Sequence, residues 1–347
     1  MPTYCVALVM IAKNEARSIK RCLQSVAPFV DAMLVLDTGS TDNTVDIAIS
    51  CGAIVKHFTW CDDFATARNA ALSHSTADWN IILDADEWLS SGAETLQQLR
   101  QTTANFVGTI EIVSGFVAGN NKQYARSITS RVLPKGVSYR GTIHEQPQHK
   151  LPLKALAISV QHDGYEPAQQ QEKKQRNMQL LQQALLAQPG DRYLQYKLGV
   201  EYEQAGKLVQ AQVYFEQALV ASSSGLSWRL DLVIRLLFIY KKLKLFTQGL
   251  TLAAQEQALS HLSADYSFSL GDFYLDVAIN QPQRTAELIP KIEQCWLKCL
   301  EIGEVTGVNG AVFGRGSYLA AHNLAVFYQS LGKTAQSQHY FKLASSH

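Results

Sequence analysis

The sequence predicts two architectures in one chain, an α/β domain on a parallel sheet followed by an all-α domain of helical repeats. Up to about residue 165, short apolar runs alternate with helical patterns; from about Gln169 onward, apolar positions recur at helical spacing. Such β-α-β-α alternation implies a parallel sheet covered by helices. The expected boundaries are 1–167 for the first domain, 168–190 for a connecting helix and 191–347 for the repeats.

Val6–Ile11 reads as the first strand and Ala16–Val26 as the helix after it. Ala32–Asp37 is a second strand, leading to a helix over Thr41–Cys51 that Ser40 or Thr41 would cap, since a hydroxyl there can accept from a free first-turn N–H. Ala53–His57 reads as a third strand, Asp63–Ser73 as a helix, Asn80–Asp84 as a fourth strand and Ala93–Thr103 as a helix. After about Phe106 the pattern changes. Gly108–Val113, Arg126–Leu133 and Ala155–His162 read as strands of an added, partly antiparallel segment.

The second half carries a repeat. Tyr196-Lys197-Leu198-Gly199-Val200-Glu201-Tyr202, with Gly206, Ala211, Phe215 and Ala218, falls in tetratricopeptide-like positions. Ser269-Leu270-Gly271-Asp272-Phe273-Tyr274 repeats the core of that pattern, and Leu324-Ala325-Val326-Phe327-Tyr328 with Gly332, Phe341 and Ala344 repeats it again. A weaker copy surrounds Leu236, Leu237 and Tyr240. Gly199 and Gly271 lie about two repeat periods of roughly 34 residues apart. Small residues there let paired helices approach, and the large ones fill the groove between them. A plain helical bundle is the alternative.

Composition bounds the rest. The 347 residues are 47% hydrophobic and 18% charged, below the usual charged quarter, which argues for a packed core and against a disordered chain. A net charge of +1 gives no reason to expect a nucleic-acid partner. The six cysteines (Cys5, Cys22, Cys51, Cys61, Cys295, Cys299) include no Cys-x-x-Cys pair, and Cys295 and Cys299, one helical turn apart, read as core residues. Reduced thiols of this kind fit a cytosolic protein. The first apolar run lacks a basic leader and is cut by Lys13-Asn14-Glu15, so it reads as no signal peptide. No stretch reaches the ~18 apolar residues of a membrane span. The expected location is cytoplasmic, with peripheral contact at the inner face of a membrane also open. Arg235, Lys241, Lys242 and Lys244, interleaved with apolar residues, suit such a surface, but a repeat helix with a solvated basic face explains them more simply.

Asp84-Ala85-Asp86 ends the apolar run Trp79–Leu83. Side chains two apart on a strand point the same way, and ligands of open α/β sheets bind outside the carboxyl ends of strands. Two hard oxygen donors there suit Mg²⁺ or Mn²⁺ shared with substrate phosphates. Asp37 ends another strand and enters Thr38-Gly39-Ser40-Thr41-Asp42, while Lys13-Asn14-Glu15 follows the first strand at the same edge. Turn chemistry alone can explain a lone aspartate there; three on one sheet are harder to explain so. Trp60 and Trp88 flank the expected cleft, where stacking on a sugar or base and core packing are equally good readings.

At these residues the sequence resembles the family 2 glycosyltransferases, inverting enzymes with the nucleotide-diphospho-sugar transferase (GT-A) fold. The matching segments are Ile11–Glu15, Leu36–Asp42, Phe64–Asn69 and Leu83–Glu87, in the family's order and at its usual spacings. Arg140–Glu145 and His162-Asp163-Gly164-Tyr165 continue the likeness. With the helical tail they resemble a subgroup joining this domain to tetratricopeptide repeats, which includes lipopolysaccharide-core glucosyltransferase-like proteins and enzymes that glycosylate bacteriocin peptides on cysteine. The resemblance implies that Asp37 binds the nucleotide base, that Arg68 sits near the base or its phosphates, and that backbone from Ala12 through Asn14 and Glu15 lines the pocket. It implies that Asp84 contacts ribose or a metal-bound water, and that Asp86 ligates a Mg²⁺ or Mn²⁺ ion bridging the diphosphate, with His162 completing the metal shell. A buried, hydrogen-bonded histidine is the other reading of His162.

An inverting transfer also needs a base for the acceptor's proton. The commoner family pattern Glu-Asp…Gln-x-x-Arg-Trp is absent, which leaves Glu145 as first candidate and His144 as second. An exposed turn pair stabilised by Arg140 is the alternative for both. The implied partners are a nucleotide-diphospho-sugar, in the first place a UDP-sugar, and a saccharide, lipopolysaccharide-core or peptide acceptor. The repeats would also suit a homodimer or a protein partner. Two other classes stay in view. A nucleotidyltransferase would share the fold, but the segment Ala12–Arg17 lacks the glycine of a triphosphate-cradling loop. A non-catalytic scaffold with a degenerate first domain would not need Asp37, Arg68, Asp84 and Asp86 intact.

Overall fold

The computed structural model describes residues 3–118, 121–162, 167–220, 226–305 and 310–345. The chain forms two compact units, Met1–Leu180 and Leu181–His347.

The first unit runs β1 (Val6–Ala12), α1 (Ile19–Val26), β2 (Ala32–Asp37), α2 (Thr44–Ser50), β3 (Ile54–His57), α3 (Phe64–Ser73), β4 (Trp79–Ile82), β5 (Glu87–Ser91) and α4 (Ala93–Gln98). There follow β6 (Val107–Ala118), β7 (Asn121–Pro134), β8 (Ser138–Arg140), β9 (Gln146–Gln148), β10 (Leu153–His162) and α5 (Pro167–Ala187), which straddles the boundary between the units. Eight strands form one sheet in the order β3-β2-β1-β4-β7-β6-β10-β5, and β8 and β9 form a separate hairpin. The strands β3, β2, β1 and β4 are mutually parallel. β7 pairs antiparallel with both β4 and β6, while β10 lies parallel to β6 and antiparallel to β5.

The central parallel strands β1, β2 and β4 are buried on both faces, as strands covered by crossover helices must be, while the edge strand β3 is largely exposed. Alternate residues of β1 therefore serve different cores: Val6, Leu8 and Met10 pack with α1, Trp79 and Phe106, while Ala7 and Val9 pack with Leu34, Leu36 and Ala71. Trp79 is fully buried and its indole N–H donates to the Thr102 carbonyl at 3.0 Å, which satisfies its polar edge. The strand order reverses between β1 and β4. Such a switch point opens a crevice at the carboxyl edge of the sheet.

Several element bounds differ from the sequence expectation. The helix expected from Ala16 begins at Ile19, after a turn closed by Ser18 and Ile19 N–H groups donating to the Glu15 carbonyl. Helix α2 begins at Thr44 rather than Thr41, and neither Ser40 nor Thr41 caps it. Both are engaged instead by Asn14, whose N–H donates to Ser40 Oγ and whose Oδ1 accepts from Thr41 N–H. The fourth strand stops at Ile82, so Asp84 and Asp86 lie in a turn and not on a strand. Strand β5 and the short β8–β9 hairpin were not expected.

The second unit consists of helix pairs: α6 (Arg192–Gln204) with α7 (Leu208–Leu219), α8 (Arg229–Lys242) with α9 (Phe246–Gln255), α10 (Ala264–Asn280) with α11 (Thr285–Ile302), and α12 (Tyr318–Ser330) with α13 (Thr334–Ala344). Most of the expected repeat positions form its core: Leu198, Ala211, Phe215 and Ala218, then Leu236, Leu237 and Tyr240, then Leu270 and Phe273, then Leu324, Ala325, Phe327 and Tyr328 are buried, while Phe341 and Ala344 are only half-buried. Gly199 and Gly271 permit the close helix crossings, because a Cβ would stand 2.5 Å from Phe215 in one case and 2.6 Å from Trp296 in the other. Cys295 and Cys299 are buried in this core. Arg235 is not part of a solvated basic face. Its guanidinium turns inward to Asp231 at 2.6 Å and Glu203 at 2.7 Å.

Candidate active site

The expected residues fall into three groups at the carboxyl edge of the parallel strands. The first is a stitched pair of loops. Ala12 and Asp37 are partners in the β1–β2 register. The Asp37 carboxylate is buried and accepts from the N–H groups of Gly39 at 3.2 Å and Ser40 at 3.1 Å, with His57 Nδ1 at 3.4 Å. Asn14 sits in the left-handed region (φ 56°), which lets it face Ser40 and Thr41. Glu15 N–H donates to Thr44 Oγ1 at 2.7 Å, and its carboxylate accepts from Ser18 Oγ at 3.0 Å. The loops after β1 and β2 are thereby held in one conformation beside the switch point.

The second group is a network of buried ions. Arg68, on α3, donates from Nη2 to Asp84 Oδ1 at 2.8 Å and from Nε to Glu145 Oε1. Arg131, on β7, donates from Nη2 to Asp84 Oδ2 at 2.9 Å and to Glu87 Oε1 at 3.0 Å. Glu87 closes the turn on itself: its Oε2 accepts from Asp84 N–H at 2.9 Å while its own N–H donates to the Asp84 carbonyl at 3.0 Å. Both guanidiniums are nearly dry, and Asp84 alone keeps 37% of its side-chain surface open to water. Tyr139 is buried with its ring 5.6 Å from the Arg68 guanidinium carbon.

Helix α3 explains why these meet. Asp63 caps it by accepting from Thr66 N–H at 2.9 Å. The Asn69 amide pairs with the Tyr139 backbone in both directions, at 2.9 and 2.7 Å, and Phe64 N–H donates to the Thr142 carbonyl at 2.9 Å. The β8–β9 hairpin is thus fixed onto α3, and the turn within it carries His144 (φ 52°) and Glu145 to the end of Arg68. Glu145 takes Arg68, not Arg140, as its partner.

The third group is Asp86 and His162, with Nε2 and Oδ2 3.5 Å apart. The other ring nitrogen of His162 lies 3.1 Å from Ser114 Oγ. Residues 163–165, which continue the His162 motif, lie outside the described residues. Among the described residues no three of His, Cys, Asp and Glu form a cluster able to hold a metal alone. Asp86 and His162 offer two donors 3.5 Å apart, somewhat wider than the roughly 3 Å between neighbouring ligands of a six-coordinate ion at ~2.1 Å.

The charges shift as this packing dictates. Burial works against the Asp84 charge, but Arg131 and Arg68 override it and hold the carboxyl far below the usual carboxylate range. Burial pushes the Glu87 carboxyl up to about 7, with Arg131 opposing and the Asp84 charge assisting. Burial likewise disfavours the His162 cation, yet its hydrogen bond to Asp86 and the nearby carboxylates raise it overall. Sequence reasoning missed Arg131, Glu87 and Tyr139 as members of the site. Nothing local marked Arg131, one of two arginines in the strand-like run Arg126–Leu133. Trp60 donates to Asp62 at 2.7 Å and packs edge-on against Phe64, and Trp88 lies 3.5 Å beneath the Arg21 guanidinium.

Comparison with known proteins bears on the family of the first domain. The pattern of Glycosyl transferase family 2 matches residues 7–153. A TPR repeat-containing protein of Synechococcus elongatus is 33% identical over 258 residues, covering 68% of this chain and 62% of that protein. The SPbeta prophage-derived glycosyltransferase SunS of Bacillus subtilis is 29% identical over 221 residues, covering 60% of this chain and 52% of that protein. Glucosyl-3-phosphoglycerate synthase from Mycobacterium tuberculosis, in complex with Mn²⁺, UDP and glucosyl-3-phosphoglycerate, aligns over 33% of this chain and 45% of that one at 25% identity. Its TM-score of 0.26 is too low to bear on fold. The chain spans between half and two thirds of the length of these two curated relatives. Residues 7–153 are a glycosyl transferase family 2 domain, and in this chain tetratricopeptide-like helical repeats follow it.

Proposed function

We propose that this protein is an inverting glycosyltransferase that moves a sugar from a nucleotide-diphospho-sugar, a UDP-sugar in the first place, to a saccharide, lipopolysaccharide-core or peptide acceptor. The observation that carries the reading is the bridge made by Arg68 between Asp84 at the switch point and Glu145 in the adjoining hairpin. It ties a donor-side carboxylate to a candidate base within one network.

On this reading the stitched loops of Ala12–Glu15 and Asp37–Thr44 form the nucleotide pocket, and Asp37 turns from its loop N–H groups to the base. Asp84 is occupied by two guanidiniums, so its free edge serves ribose while Asp86 and His162 are the residues that would hold Mg²⁺ or Mn²⁺. A cation bound there would offset the charge growing on the diphosphate as the sugar bond breaks. Arg68 engages one oxygen of Glu145 and leaves the other to take the acceptor's proton, with His144 the second candidate. The helical unit would receive the acceptor, a second copy or a protein partner. No helix among the described residues is long and apolar enough to cross a membrane, and we place the chain in the cytoplasm, where peripheral membrane contact would be compatible with a lipopolysaccharide-core acceptor.

The test is a thermal-shift screen of nucleotide sugars with Mn²⁺, followed by turnover of any stabilising donor. Stabilisation should fall in Asp37→Ala and Asp86→Ala. If both variants respond as the parent does, the assignment of these residues is wrong. A parent that binds and turns over no nucleotide sugar, yet holds a protein partner, would favour a non-catalytic scaffold.

A further inference from the structure

Arg131 reaches the site from beneath. It projects from β7, the antiparallel neighbour of β4, and its buried Nη2 is shared between Asp84 Oδ2 and Glu87 Oε1 at 2.9 and 3.0 Å. Glu87 in turn holds the backbone N–H of Asp84 at 2.9 Å, and the Glu87 N–H donates to the Asp84 carbonyl at 3.0 Å. Arg131, Glu87 and the Asp84–Glu87 turn therefore make a closed ring of hydrogen bonds with Asp86 inside the turn. On the far side of Asp84 stands Arg68 with Glu145. An Asp84 carboxylate gripped from one side only could rotate about its own side chain and carry Arg68 with it; gripped from both sides it has one orientation.

We propose that Arg131 is a positioning residue of sugar transfer: it fixes the Asp84–Glu87 turn and, through Asp84 and Arg68, sets where Glu145 stands. The inference rests on the glycosyltransferase reading above. It adds a residue outside every segment that suggested that reading, acting without contact to donor or acceptor. A merely structural role has a different signature. Loss of Arg131 leaves the buried Glu87 carboxyl without its cation, so that it must stay charged or take up a proton, and that cost to folding is removed when glutamine replaces Glu87. The orientation of Asp84 is not restored by the same change, because a glutamine in place of Glu87 cannot replace the guanidinium on Asp84 Oδ2. Stability and turnover should therefore separate.

The experiment compares the parent with Arg131→Met, Arg131→Lys and the double variant Arg131→Met/Glu87→Gln, measuring melting temperature and steady-state turnover of the donor identified in the screen. Arg131→Met should melt lower and lose at least about tenfold in kcat, the order expected for misplacing a catalytic group by an ångström or less. The double variant should recover most of the melting temperature while kcat stays low. Arg131→Lys keeps the charge but not the shared fork and should fall between. Recovery of kcat together with stability in the double variant, or an Arg131→Met protein with parental kcat, would overturn the proposal and leave the glycosyltransferase reading standing. A parent that turns over no nucleotide sugar would overturn both.

Discussion

Replacing Arg68 with methionine removes the one side chain that joins both halves of the buried network. Its link to Glu145 is almost dry, with side-chain exposures of 10% and 11%. Breaking a buried pair from one side costs about 3–5 kcal/mol, because the remaining charge is left without a partner. The link to Asp84 contributes less. That carboxylate keeps 37% of its surface in water and retains Arg131, so solvent and the second guanidinium limit this loss to about 1 kcal/mol. The sum is about 4–6 kcal/mol, and at roughly 2–4 °C per kcal/mol for a domain of this size the first unit should melt some 8–24 °C lower. The calculation depends on a stranded charge, and that can be isolated. Glu145→Gln removes the charge that Arg68→Met would strand, so the double variant should be more stable than the two single losses predict by about 2–3 kcal/mol. Urea unfolding of the four proteins, followed by far-ultraviolet circular dichroism, measures this coupling. Additivity within about 0.5 kcal/mol would refute the Arg68–Glu145 pair as a buried ion pair.

Two predictions concern the helical unit. Gly271→Ala puts a Cβ 2.6 Å from Trp296 Nε1, and overpacking of this kind costs about 1–3 kcal/mol, so the unit should melt measurably lower; an unchanged melting temperature would show that Trp296 can shift freely. Asp231 is buried, which opposes its charge, but Arg235 and the Tyr196 hydroxyl hold its carboxyl below the usual carboxylate range. A depressed folded-state pKa contributes stability above the unfolded value, and that contribution is lost as pH falls through the folded value. The acid limb of stability below about pH 4 should accordingly flatten in Asp231→Asn, and an acid limb identical to the parent's would contradict the pairing.

What could be read from the chain, and what could not, follows from how local each signal is. Strand β2 and the repeat cores were legible because apolar periodicity is local, and Ala32–Asp37 matches its expected bounds. The strand end at Asp37 was legible for the same reason, since Asp37 closes an apolar run. The turn at Asp84–Asp86 was misread as strand because Leu83 continues the apolar run past the last ladder pair, Val9 with Ile82. Leu83 and Ala85 are buried although the chain has left the sheet. Ser40 and Thr41 were misread as caps because their true partner, Asn14, lies 27 residues from Thr41. Arg131 was invisible as a site residue for a related reason: Asp84 is 47 residues away, and only the antiparallel pairing of β4 with β7 brings them together.

The same nonlocality bears on how the site divides its labour. On the proposed reading, Asp84 and Asp86 are two residues apart yet have opposite tasks, and their surroundings decide which does what. Asp84 receives a guanidinium on each oxygen, so any cation would have to displace an arginine already paired in a dry setting. Asp86 is turned to His162, whose neutral ring is itself a donor to metal. On that reading the Asp-x-Asp spacing gives not two equivalent ligands but one ligand and one brace. The brace matters because a hard cation completes its shell with substrate phosphates and tolerates little error in geometry. A turn fixed by Arg131 on one oxygen of Asp84 and by Arg68 on the other would hold Asp86 in place before donor and cation arrive. Preorganisation of this kind means the arrangement costs nothing further when the sugar bond breaks. It also accounts for two buried arginines where sequence likeness called for one.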